Sequence, residues 1–207
     1  MKLENLILTV VYAGIFAIVF AESGLLFGIF LPGDSLLLTA GLLASRGYLN
    51  VFYLLLFCSI AAIGGDSVGY WFGEKVGRRL FEKKESFIFR KKNLIRAENF
   101  YKKHGSKAVV LARFLPVIRT FVPVVAGVAK MEYQKFLFFN IFGGTLWVLS
   151  TILLGYFLGS VVPNMDKYIT GIVILIIVVS SLPAFIHFWK DNKNEIVLKL
   201  RSIIGKK

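Results

Sequence analysis

Four stretches of this chain carry no charge at all: residues 5–21, 47–65, 136–165 and 168–189. The last two are long enough to cross a hydrocarbon core about 30 Å thick. With 57% of its 207 residues hydrophobic, the chain reads as a single small all-α integral membrane domain. The first apolar run ends in Val19-Phe20-Ala21, which looks like a leader cleavage site. Its n-region carries only Lys2 against Glu4, and the run is longer than a usual leader core, so a retained span is expected. The single cysteine, Cys58, excludes an intramolecular disulfide, and two histidines, His104 and His187, are too few for most metal sites. No metal and no cofactor is expected.

The formal charge of +13 is concentrated in two places. Residues 74–107 carry twelve Lys and Arg against four Glu, and the tail 190–207 carries six against two acids. Basic loops stay on the cytoplasmic side, so both termini and the basic loop are placed inside. Beside membrane spans this charge reads as topology and as attraction to anionic headgroups, and nucleic acid is not an expected partner. The stretch 92–103 is read as an interfacial helix.

A repeat is visible. Ala40-Gly41 precedes Gly69-Tyr-Trp-Phe-Gly73, and Ala126-Gly127 precedes Gly155-Tyr-Phe-Leu-Gly159, with one offset of 86 residues between the pairs. Gly73 adjoins the basic loop, whereas Gly159 precedes a weakly charged loop on the other face. The halves, 5–73 and 108–159, are therefore expected to be inverted, as in many secondary transporters. The basic loop 74–107 separates them, and the last span, 168–189, leads into the tail.

Each half contains a broken segment. Leu31-Pro32-Gly33-Asp34-Ser35 interrupts an apolar run. Proline removes a backbone donor, glycine tolerates unusual dihedrals, and Asp34 or Ser35 is a good N-cap for a second half-helix. Residues 22–45 read as a re-entrant hairpin that starts at Glu22 and carries Asp34 near its tip. The second hairpin, 108–129, is broken by Pro116 and Pro123 and holds Arg113 and Arg119. An arginine at membrane depth costs at least about 2.5–3.5 kcal/mol on insertion scales, so the two arginines are expected to meet Glu22 and Asp34 where the hairpin tips approach. Buried ion pairs are a poor source of stability, which favours a functional role for these four. Asp66 is a further candidate. Asn140 and Trp147 read as packing and interface residues. The count is two re-entrant hairpins plus about four transmembrane helices.

Three motifs carry a resemblance: E-S-G-x7-P-G-D (22–34), G-D-S-V-G-Y-x2-G-x3-G (65–77, taken as far as Gly77 in the pattern G-D-S-V-G-Y-W-F-G-E-K-V-G), and R-F-x-P-x2-R-T-x2-P-x2-A-G-x3-M (113–131), followed by Phe136, Asn140, Gly144 and Trp147. Together they resemble the DedA family, also called the SNARE-associated or VTT-domain family. The one departure is Ala112, where the family often has glycine, a position that bears on close packing. The resemblance implies a bacterial inner-membrane protein with two re-entrant hairpins that moves lipids between leaflets. The lipids would be undecaprenyl phosphate or glycerophospholipids, in some members at the expense of the proton gradient. It maps the family's important charges onto Glu22, Asp34, Arg113 and Arg119.

The expected function is therefore transport of a phosphate-headed lipid, coupled to protons. Arg113 and Arg119 would bind the phosphate, since guanidinium suits bidentate phosphate contacts. Glu22 and Asp34 would exchange protons. A proton-coupled small-ion or drug antiporter is the alternative. An enzyme is not expected: neither histidine lies near the arginines in sequence, and no phosphate-binding G-x4-G-K-[ST] loop is present. Homodimerisation is left open by the sequence.

Overall fold

The computed structural model describes residues 3–25, 31–76 and 91–161, all helices and short connections with no strand among them. The expected span 168–189, the tail 190–207 and residues 77–90 of the basic loop lie outside the described residues. Among the described residues three helices are long and apolar enough to cross a membrane: α1 (Leu3–Gly24), α3 (Val51–Val76) and the 29-residue α8 (Tyr133–Val161). Between them lie shorter pieces: α2 (Gly33–Ser45), α4 (Lys91–His104), α5 (Ala108–Ala112), α6 (Pro116–Arg119) and α7 (Val122–Val128). At 1.5 Å per residue, the 13 residues of α2 reach only about 20 Å.

The breaks follow the prolines. Leu115, which precedes Pro116, is extended (φ −118°, ψ 99°), as a pre-proline residue must be, and this ends the turn that carries Arg113. Pro123 lies in the first turn of α7, where its missing donor costs nothing. The first segment departs from expectation. No breaker occurs before Gly24, so α1 runs through Glu22 and places it in the last helical turn instead of at the start of a hairpin. Nor does Asp34 cap α2. That helix starts at Gly33 after Pro32 without a side-chain cap, and Ser35 Oγ donates back to the Pro32 carbonyl at 2.9 Å. Asp34 sits in the first turn with its carboxylate free to point elsewhere.

The two Ala-Gly helices pack on opposite long helices. α2 lies on α8, where a Cβ at Gly41 would run into the Ile152 backbone and one at Gly155 into that of Leu38. α7 lies on α3, where a Cβ at Gly73 would meet the Val124 backbone and one at Gly127 that of Tyr70. The recurring glycines are thus the places where helix backbones touch, the device that membrane helices use when lipid offers no hydrophobic drive. Both helices also end alike. Tyr48 N donates to Leu43 O and Gly47 N to Ala44 O, while Met131 N donates to Ala126 O and Lys130 N to Gly127 O. Gly47 (φ 79°) and Lys130 (φ 54°) take the left-handed position of this C-terminal motif.

Buried apolar residues form two clusters. One gathers Tyr70, Phe121, Val124, Val125, Met131 and Phe136; the other gathers Val19, Leu37, Leu54, Ala62, Val148 and Ile152. Along α3 and α8 a polar layer separates them: Asp66 lies between Ala62 and Tyr70, and Asn140 lies between Phe136 and Trp147. Ala112 is buried within the first cluster, so a methyl group is accommodated there. α4 packs on α5, α6 and α7, and Phe100 and Tyr101 reach that cluster.

Candidate functional site

Five charged groups converge in the polar layer, and they divide into two sets. Arg113, at the C-terminal end of α5, is 3% exposed. Its Nη2 forms an ion pair with Asp66 Oδ2 at 2.6 Å and reaches Asn140 Oδ1 at 2.7 Å and the Ala62 carbonyl at 3.1 Å, while Nη1 donates to Ser23 Oγ at 3.4 Å. Asn140 is itself tied down, its Nδ2 donating to Ile63 O at 3.0 Å. One guanidinium thereby joins α1, α3, α5 and α8. Only its Nε lacks an acceptor among the described residues.

Arg119, at the end of α6, holds two carboxylates. Nη2 pairs with Glu22 Oε1, and Nη1 pairs with Asp34 Oδ1 at 2.9 Å. The Glu22 side chain is 1% exposed, that of Arg119 12%, and that of Asp34 47%. This set has a buried end and an open end. Gly33 makes the arrangement possible, because a Cβ there would overlap the Glu22 carboxylate. The first turn of α2 thus comes directly against Glu22, and its unpaired amides favour negative charge at that point.

Trp147 joins the two sets. Its indole Nε1 donates to Asp34 Oδ1 at 2.8 Å, the same oxygen that Arg119 contacts. The guanidinium carbon of Arg119 lies 5.0 Å from the ring centroid and that of Arg113 5.8 Å, both within cation–π range. Among the described residues three carboxylates face two guanidiniums, so one negative charge there is formally unmatched.

The structure therefore brings Glu22, Asp34, Arg113, Arg119 and Asp66 together, with a division of partners absent from the sequence reading. Arg119 takes both Glu22 and Asp34, and Arg113 takes Asp66. Asn140 and Trp147, read above as packing and interface residues, are hydrogen-bonded members of the site, as is Ser23. One signal existed for them. Asn140, Gly144 and Trp147 are spaced i, i+4, i+7, one helical face, and Gly144 lies against Arg113, with its Cβ position 3.3 Å from Nη2.

Residues 31–157 match the VTT domain. The chain belongs to the VTT-domain (DedA) family. It is 46% identical to Protein DedA of Escherichia coli (strain K12) over 185 residues, which is 88% of this chain and 84% of that relative. An uncharacterized membrane protein of Mycobacterium tuberculosis (strain ATCC 25618 / H37Rv) is 43% identical over 178 residues, 85% of this chain and 78% of its own. Inner membrane protein YqjA of Escherichia coli (strain K12) is 36% identical over 157 residues, 76% and 71% of the two chains. No solved structure matches the chain. The VTT match begins at Leu31 and ends at Phe157, so it spans Asp34, Asp66, both arginines, Asn140 and Trp147 and leaves Glu22 and Ser23 just ahead of it.

Proposed function

We propose that this VTT-domain membrane protein moves a phosphate-headed lipid, undecaprenyl phosphate or a glycerophospholipid, between the leaflets of a bacterial inner membrane, with protons as the coupling ion. One observation carries the reading: Arg119 lies within a helical membrane protein, held by a buried carboxylate on one side and a half-exposed one on the other. A phosphate head would displace Asp34 from Arg119, since guanidinium donates to phosphate as it does to carboxylate. Protons on Glu22 or Asp34 would release the arginine for that exchange. Arg113, already bonded to Asp66, Asn140, Ser23 and Ala62, would hold the frame and lend positive potential to the headgroup. The acyl or prenyl tail would remain in lipid.

The crosswise packing of α2 on α8 and α7 on α3, with matching helix ends, supports the reading of the halves as inverted repeats whose re-entrant tips meet at Arg119. The proposed orientation places both termini in the cytoplasm. A proton-coupled small-ion or drug antiporter is a second reading, favoured by the one carboxylate in excess of the arginines.

Leaflet exchange in proteoliposomes tests the proposal. Labelled undecaprenyl phosphate and labelled glycerophospholipids are compared with and without a pH gradient, in wild type and Arg119→Ala. Exchange of a phosphate lipid that is lost in the variant supports the transporter. Proton flux without exchange of any lipid overturns it in favour of the antiporter.

A further inference from the structure

Asp34 Oδ1 accepts from two donors, Arg119 Nη1 at 2.9 Å and Trp147 Nε1 at 2.8 Å. On the reading above, an anionic headgroup removes the first donor. The half-exposed carboxylate would then lose its charged partner while Glu22 and Asp66 remain near it, a state that a second donor would favour. The indole can be that donor. Trp147 is 3% exposed and packed with Val148 and Ile152 on α8, so it does not leave with the ligand. Its N–H donates only, so it cannot accept from Arg119 and take the guanidinium from the anion.

We infer that Trp147 is a positioning residue for headgroup capture: its indole N–H holds the Asp34 carboxylate in place when Arg119 turns from Asp34 to a phosphate. The inference rests on the lipid reading but concerns a different residue. The surroundings of Asp34 set what happens without the indole. Glu22 from α1 and Asp66 from α3 add negative charge, Arg113 and Arg119 from the α5–α6 segment add positive charge, and α8 contributes the neutral Trp147 and Asn140. With no indole donor and Arg119 engaged elsewhere, Asp34 is left beside like charges without either of its two donors, and capture weakens.

Isothermal titration calorimetry on the full chain in detergent tests this, with dihexanoyl phosphatidic acid and inorganic phosphate as probes. Trp147→Phe keeps a ring beneath the arginines and removes the N–H together with part of the indole's bulk, which the Asp34→Asn background controls for. Its affinity should fall by about tenfold or more, the usual size of a lost hydrogen bond to a charged group. In an Asp34→Asn background the same substitution should change affinity much less, because the two changes act on one contact. Binding of phosphatidic acid alone assigns the site to a lipid headgroup, binding of both probes to phosphate in general, and the inference is supported in either case if the loss depends on Asp34. A loss that persists in full in the Asp34→Asn background makes Trp147 ordinary packing and overturns the inference, leaving the lipid reading intact. Probe binding that survives Arg119→Ala overturns both.

Discussion

Arg113 and Arg119 lie six residues apart, yet the structure treats them differently. Arg113 is enclosed, with oxygens from Asp66, Asn140, Ala62 and Ser23 around its two terminal nitrogens. Arg119 has two carboxylates, one sealed and one half exposed. A guanidinium with every near acceptor buried has nowhere to send a partner when a ligand arrives. One whose partner faces outward can exchange it. Charge at membrane depth is thus not one kind of signal: it can fasten helices or wait for a ligand, and the exposure of its counter-ion tells which.

The comparison can be broken most directly through stability. Arg113→Ala should cost about 3–5 kcal/mol, the usual result of stranding a buried charge, here Asp66, and should show as poor yield and an early thermal transition in detergent. Arg119→Ala should abolish lipid exchange at a smaller cost in stability, because Asp34 is half exposed and Glu22, though sealed, keeps the first-turn amides of α2 beside it. Equal destabilisation by the two would erase the distinction. It sharpens with the double variant Arg113→Met/Asp66→Leu, which should be more stable than either single variant, since an apolar replacement of a complete buried pair is often neutral. If the two changes simply add, the pair is not coupled.

Smaller effects come from the open side. Gly33→Ala forces a Cβ into the Glu22 carboxylate, and overpacking of this kind typically costs about 1–3 kcal/mol. Exchange should suffer more than folding, and a wild-type transport rate would show that Glu22 can retreat without consequence. Asp34→Asn should be the mildest for stability, within about 1 kcal/mol, as for other solvent-reachable ion pairs. A thermal transition moved as far as that of Arg113→Ala would mean that Asp34 is structural after all.

Some of this was legible beforehand. Pro116 and Pro123 marked real breaks, the Ala-Gly pairs marked real contacts, and Arg113, Arg119, Glu22 and Asp34 do come together. The partition among them was not legible. The extended Leu115 between Arg113 and Arg119 turns the chain, and sequence spacing carries no record of which way each guanidinium then faces. Nor did the sequence show that α1 would continue to Glu22, since the helix could stop at any small residue from Ala21 to Gly24. Trp147 was read as an interfacial aromatic because such residues usually are. Its true position follows from α2 lying on α8, a contact between residues more than a hundred apart.

By itself, then, the sequence determined the inventory: which stretches are apolar enough to be helices, where proline and glycine end them, and which few charges must find partners in lipid. These depend on local chemistry, on hydropathy, on the missing amide of proline and on the cost of an unpaired ion. The tertiary structure alone decided the pairing, giving Arg113 to Asp66 and Arg119 to Glu22 and Asp34, and setting Trp147 beneath both arginines. The reason is that ion pairs form over a few ångströms. Here those distances are set by glycine contacts that bring helix backbones together at Gly41, Gly155, Gly73 and Gly127, between segments far apart along the chain.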